Sequence, residues 1–213
     1  KRKFLKPAWD GQNCLKGKTI LIWSEQGIGD TINWSSELDF LASKAGHCVL
    51  ECKEKIVPLI ARSFPNIEVK PEDRTLDSVR NDFDVHMPLG SIYKHVLSSK
   101  PQLNRTHNFI VPDPIRVKFW SDRLKSLGDG PYIGICWKSS LMTPSRRPNY
   151  APLKAWSSIL KLSNATFINL QYKDFEDDIQ KLENSFRVKV HNFEDLDQYK
   201  NLDEVAALCA ALS

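Results

Sequence analysis

The residues best able to do chemistry fall in two clusters. The first is "EQGIGDT", residues 25 to 31, where Gly27, Gly29 and Asp30 follow the apolar run "TILIW". Glycines after a strand commonly cradle a phosphate on the backbone N–H groups of a helix start. A carboxylate in the first helical turn opposes that use, because two unit charges ~4 Å apart repel by about 4 kcal/mol at an effective dielectric of 20. Such a carboxylate suits two other tasks. As an N-cap, Asp30 favours the positive end of the helix dipole. Facing a crevice, it takes a proton from a hydroxyl as a general base. Gly27 and Gly29 let that hydroxyl approach the backbone closely. Asp30 is therefore the candidate catalytic base, with Gln26, Gly27, Gly29 and Thr31 as the acceptor-binding candidates.

The second cluster is "CWKSSLMTPSRRPNYAPL", residues 136 to 153. Lys138, Ser139 and Ser140 follow a second buried apolar run, and Arg146 and Arg147 come shortly after. Cations and hydroxyls at such a place suit a pyrophosphate, with Arg able to bind in a forked, bidentate way. The plainer reading is a solvated basic loop. Gln171 and Tyr172 follow a later strand end, where they can line the same crevice.

Other patterns fail. "GKT" at 17 to 19 precedes its strand, and a P-loop would need Gly where Gln12 stands. "GIGDTI" is half of a dinucleotide fingerprint: Ile32 takes the place of the third glycine, although Glu51 stands where a ribose-binding acid would. The histidines have no partners at informative spacing, and His86 reads as a half-buried strand residue. Cys14, Cys48, Cys52, Cys136 and Cys209 show no zinc-ligand spacing, so no metal site is expected. They read as reduced, structural thiols, which with no secretory signal places the chain in the cytoplasm.

The elements that position these clusters alternate. "TILIW", "HCVLEC", "NIEVK" and "DFDVHMPL" read as strands. A helix over "DTINWSSELDFLASKAG", stopped by Gly46, and another over "KIVPLIARSF" separate the first three. After the Pro- and Asn-rich stretch "SSKPQLNRTHNFIVPDP", the alternation resumes. A helix "IRVKFWSDRLKSLG" comes first, then strands "PYIGICW", "ATFINL" and "FRVKV", with helices through "LKAWSSILKL", "FEDDIQKL" and "LDEVAALCAAL". Such alternation implies parallel βαβ units with the ligand crevice at the carboxyl ends of the strands. The expected organisation is a linker over 1–16 that settles through Trp9, a Rossmann-like domain over 17–112, a connecting helix over 113–130 and a second, partial Rossmann-like domain over 131–213.

The 213 residues are 41% apolar and 26% charged with a net charge of +4. That is an ordinary globular composition, with an excess too diffuse to indicate nucleic acid. The opening "KRK" reads as a solvated end. No run approaches the ~18 apolar residues of a membrane span. The absence of an initiating Met and the helical last residues suggest a piece of a longer protein.

Together, "PAWDG…LKGKTILIWSEQGIGDTINW", "FDVHMPLGSI" and "YIGICWKSS…RRPNYAPL" resemble the glycosyltransferase-like region that follows tetratricopeptide repeats in many bacterial proteins. That region is related to the lipopolysaccharide heptosyltransferases of glycosyltransferase family 9. The resemblance implies two Rossmann-like domains in a GT-B architecture and an inverting transfer, without a required metal or cofactor. A sugar would pass from a nucleotide-sugar donor to a glycan, lipid or protein acceptor. It maps the base onto Asp30 and donor-phosphate contacts onto Lys138 and Ser139, with Arg147 as a further counterpart. It also implies protein partners through upstream repeats. An Asp-Thr…Ala-His segment that helps form the family's donor site would lie beyond Ser213, so the second domain is expected to be truncated. Two other readings stand beside it: a non-catalytic scaffold or binding module, and a dinucleotide-binding oxidoreductase domain.

Overall fold

The computed structural model describes residues 2–75, 77–99, 108–139, 142–162 and 164–212, without the side chains of 97–99. The chain forms two compact units, Lys1–Val111 and Pro112–Ser213.

The first unit is built on β1 (Thr19–Trp23), α1 (Ile28–Ser35), α2 (Leu38–Ala42), β2 (His47–Cys52), α3 (Val57–Ser63), β3 (Glu68–Pro71), β4 (Val85–Pro88) and α4 (Ile92–Ser99). Its sheet has the order β3-β2-β1-β4, and every pairing is parallel. β1 lies inside the sheet, and Ile20, Leu21 and Ile22 are fully buried. A strand covered on both faces has no polar side to show, hence the unbroken apolar run.

The helix expected through Gly46 is instead two short helices. Ser35 Oγ donates to the carbonyls of Thr31 and Ile32, and Ser36 Oγ donates to that of Asn33. Serine hydroxyls that bond back to the preceding turn weaken its continuation, and α1 gives way at Ser36. Gly46 is not a helix stop. A Cβ there would lie 2.7 Å from the backbone of Gly17, so the glycine lets two chain segments touch.

The opening residues also differ from expectation. Arg2 is not solvated: it is buried and bridges Glu51 at 2.6 Å and Asp77 at 2.8 and 2.5 Å. Alternation along the paired strands puts Leu21, Trp23, Val49 and Glu51 on one face. Phe4 packs on that face against Leu21, Val49 and Phe83. Pro7 and Trp9 then hydrogen-bond His86 at the edge of β4. A guanidinium with two carboxylates on one side and a phenyl ring on the apolar strip is held better by this face than by water. His86 accepts a 3.3 Å hydrogen bond from Trp23 Nε1, as a satisfied half-buried histidine should.

The second unit contains α5 (Pro114–Lys125), β5 (Tyr132–Ile135), α6 (Ser157–Leu160), β6 (Thr166–Asn169), α7 (Glu176–Phe186), β7 (Val190–His191) and α8 (Leu202–Ala211). Its three strands are parallel in the order β5-β6-β7. Asp113 caps α5 by accepting from Ile115 and Arg116 N–H, and Pro114 occupies the first turn. Trp120 and Leu124 of α5 bury against Leu208 and Ala211 of α8 and Ile168 of the sheet. Phe167, the next strand residue back, points into a separate cluster with Trp137, Leu160 and Leu182. The sheet is thus covered on both faces. The strand expected over "FRVKV" shortens to two residues, because α7 runs on to Phe186 and Arg187 closes it in the left-handed conformation, φ 55°.

The five cysteines are free. Burial pushes the Cys48 thiol up to about 11 and Cys52 up to about 12, leaving both inert at neutral pH.

Candidate functional site

In the first unit the "EQGIGDT" loop carries the chain from β1 into α1. Gly27 is the N-cap, with extended backbone at φ −69° and ψ 171°. The expectation that Asp30 caps the helix is corrected: Asp30 sits three residues further on. Its Oδ2 reaches back to accept from Gly27 N–H at 3.2 Å, which is half of a capping box. Its side chain is exposed, and a Cβ on Gly29 would meet nothing within 4 Å. The loop thus leaves open surface beside the carboxylate. Gln26 is exposed at the same place. Thr31 belongs elsewhere: it is 1% exposed and its hydroxyl donates to the Gly27 carbonyl at 3.1 Å. It braces the loop from within rather than facing an acceptor.

A second carboxylate, which sequence reasoning passed over, lies in the same loop. Glu25 Oε2 is buried with no hydrogen-bond partner among the described residues. Burial raises its carboxyl above the ordinary glutamate range; backbone N–H groups of Gly90 and Leu89 offset part of this, and the charge of Asp30 adds to it. Glu25 Oε1 lies 2.7 Å from where a Cβ on Gly90 would stand, so the glycine makes room for it. The sequence signal was the acid at the carboxyl end of a buried strand. Its partner, 65 positions away, was not visible there.

The carboxyl ends of β2 and β3 border a cavity of about 620 Å³, lined among others by Glu51, Lys70, Glu72, Arg80 and Asp82. Glu51, the ribose-binding candidate of a dinucleotide site, is only 2% exposed and is held by both Arg2 and Arg80. An acid so occupied is not free to bind ribose hydroxyls, which disfavours the dinucleotide reading.

In the second unit, the loop after β5 is held by a buried amide. Gln171 Oε1 accepts from Trp137 N–H at 3.2 Å and Lys138 N–H at 3.1 Å. Gln171 is fully buried, so it fixes the loop rather than lining a crevice. Lys138 Nζ donates to Asp178 at 2.6 Å and to the Asp174 carbonyl at 2.5 Å. Burial pushes the Asp178 carboxyl up, but hydrogen bonds from Lys138 and Trp137 outweigh it and hold the group below the usual range. Ser139 is half-buried, while Arg146 and Arg147 are exposed and make no ion pair among the described residues. Ser140 lies outside the described residues.

Tyr172, Asn192 and Gln198 help to line a cavity of about 410 Å³ near the carboxyl ends of β6 and β7. Gln198 is 8% exposed. Its Nε2 donates to the Asn169 carbonyl at 3.0 Å, while its Oε1 is buried and unpartnered among the described residues. The cavity is bordered by the rings of Tyr172, Phe175 and Phe193. Among the described residues, no group of three or more His, Cys, Asp or Glu is placed to hold a metal ion.

The architecture and the two loops define an α/β fold like that of the family 9 glycosyltransferases. A crystal structure of a glycosyl transferase family 9 protein from Veillonella parvula superposes with a TM-score of 0.63 at 14% identity, covering 92% of this chain and 75% of that one. The iron-containing dodecameric glycosyltransferase TibC of enterotoxigenic E. coli aligns over 84% of this chain at 14% identity, but with a TM-score of 0.32 it carries no weight. No family model matches the chain. In sequence, the chain is 31% identical over 218 residues to Protein FlbA of Caulobacter vibrioides. The match covers 96% of this chain and 36% of that protein, so the chain spans little more than a third of its relative's length.

Proposed function

We propose that the chain is part of a glycosyltransferase of GT-B architecture, moving a sugar from a nucleotide-sugar donor to an acceptor hydroxyl. The observation that carries this reading is Asp30: an exposed carboxylate at the carboxyl end of a buried parallel strand, on a loop that glycines leave open. Asp30 accepts the acceptor's hydroxyl proton as the oxygen attacks the anomeric carbon. The bond from that carbon to the diphosphate breaks, the diphosphate leaves with the electron pair, and the configuration inverts. Gln26, Gly27 and Gly29 border the incoming hydroxyl.

In the second unit, Arg146 and Arg147, with Lys138 and Ser139, are the groups assigned to the departing diphosphate. Lys138 meets a phosphate only by exchanging it for Asp178. The cavity beside Tyr172 and Gln198 takes the donor's nucleoside part. On this reading the chain belongs to a longer cytoplasmic protein that carries tetratricopeptide repeats and completes the donor site.

The Lys138–Asp178 pair favours one second reading, a non-catalytic binding module whose phosphate-facing cation is already neutralised. Calorimetry with nucleotide diphosphates, nucleotide sugars and NAD on a chain extended past Ser213 separates the two. Nucleotide-sugar binding with turnover reduced roughly 10²–10⁴-fold by Asp30→Asn supports transfer. The variant keeps its fold, because an Asn oxygen still accepts from Gly27 N–H. Absence of binding supports the module, and tight NAD binding overturns both.

A further inference from the structure

A pocket near the amino ends of β6 and β7 has a chemistry unlike that of the crevice. It encloses about 390 Å³, with Leu160, Phe167, Phe186 and Val188 among its apolar lining residues. Its polar rim is basic: Lys161, Arg187 and Lys189 line it together with His191, and no carboxylate does.

The three cations are exposed, and none makes an ion pair among the described residues. Arg116, Arg123, Lys138 and Lys200 of this unit each have an acid, whereas these three share with Arg146 and Arg147 the lack of an ion pair among the described residues. Glu183, one turn before Arg187, is occupied in accepting from Val190 N–H at 2.9 Å. Burial and the neighbouring charge of Lys189 hold His191 below the usual imidazole range. Positive charge gathered there is stabilised by an anion, and Leu162, which also lines the pocket and is exposed, gives that anion an apolar neighbour.

The flanks point the same way. Ile159 and Leu162, on the segment that carries Lys161, are 44% and 47% exposed. Exposed aliphatic residues beside unpaired cations suit an anionic lipid interface. Among the described residues no helix is long and apolar enough to cross a membrane. We propose that this pocket docks the second unit onto an anionic membrane surface, the cations meeting lipid headgroups while Ile159 and Leu162 enter the interface.

The test is sedimentation of the 213-residue chain with vesicles of phosphatidylcholine, with or without about a third phosphatidylglycerol. Binding is expected only to the anionic vesicles and should weaken as salt rises. Lys161→Gln, Arg187→Gln and Lys189→Gln together should lower the partition coefficient roughly 100-fold, and Leu162→Ser alone by several-fold. A control that replaces the exposed Lys3, Lys16 and Lys18 by Gln removes the same charge elsewhere and should lose much less. An equal loss in the control would assign binding to net charge and overturn the proposal. Equal binding to neutral vesicles would overturn it too, as would capture of inorganic phosphate without vesicle binding.

Discussion

Arg2→Met removes a buried guanidinium while keeping the length of the side chain. In the native unit the side chains of Arg2 and Glu51 are 2% and 3% exposed and that of Asp77 is 12% exposed. After substitution Glu51 keeps Arg80, but Asp77 loses the guanidinium that met both its oxygens. Breaking a buried ion pair from one side costs about 3–5 kcal/mol, because the remaining charge has lost its partner and meets little water. With a urea dependence of about 2 kcal/mol per molar for a domain of this size, the midpoint of the first unit should fall by roughly 1.5–2.5 M. The assay is urea titration followed by pulsed hydrogen exchange of peptides over β1 and β2. A whole-chain signal would mix two units that need not unfold together. Adding Asp77→Asn should recover part of the loss, with non-additivity above about 1 kcal/mol. A midpoint shift below about 0.5 M, or strictly additive effects, would refute the claim that the opening residues are locked to the sheet by buried charge.

Three further outcomes follow from the two loops. Glu25 is raised in the folded state, so its contribution to stability is complete below the ordinary glutamate value of about 4.3 and is lost as pH rises through the folded value. The stability of the native chain relative to Glu25→Gln should therefore fall as pH climbs above about 4.3, which paired denaturation curves would show. Asp178 has the opposite sign: its contribution is present above about 3.9 and is lost as pH falls through its lowered folded value. Lys138→Met should cost roughly 1 kcal/mol at neutral pH, a difference that shrinks in acid and is read by thermal melts across pH. Gln171→Ala should destabilise the second unit by about 2–3 kcal/mol, because it strands the N–H groups of Trp137 and Lys138. Faster hydrogen exchange at those two amides is the check.

Much of the strand pattern was legible because buried parallel strands are largely apolar on both faces, as "TILIW" is. "HCVLEC" departs from this at Glu51, whose buried charge is met by Arg2 and Arg80. The position of Asp30 was legible for a related reason: an acid and two glycines after such a run are local features. Its place in the helix was not, because Gly27 and Asp30 compete for the cap, and only the backbone path shows that Asp30 reaches back. The helix break at Ser36 depended on which carbonyls the serine hydroxyls chose. The strand over "FRVKV" shortened because α7 outran it.

What the sequence determined by itself was the alternation of elements and the placing of one carboxylate and one basic loop after buried strands, since spacing along the chain sets both. The tertiary structure alone decided which charges are free. Arg2 finds Glu51 and Asp77, Lys138 finds Asp178, and Glu25 settles beside Gly90, across separations of 40 to 75 residues. Local pattern carries no record of such pairings. Whether a charge can meet a ligand depends on the partner that folding brings to it, and on how much water that partner excludes.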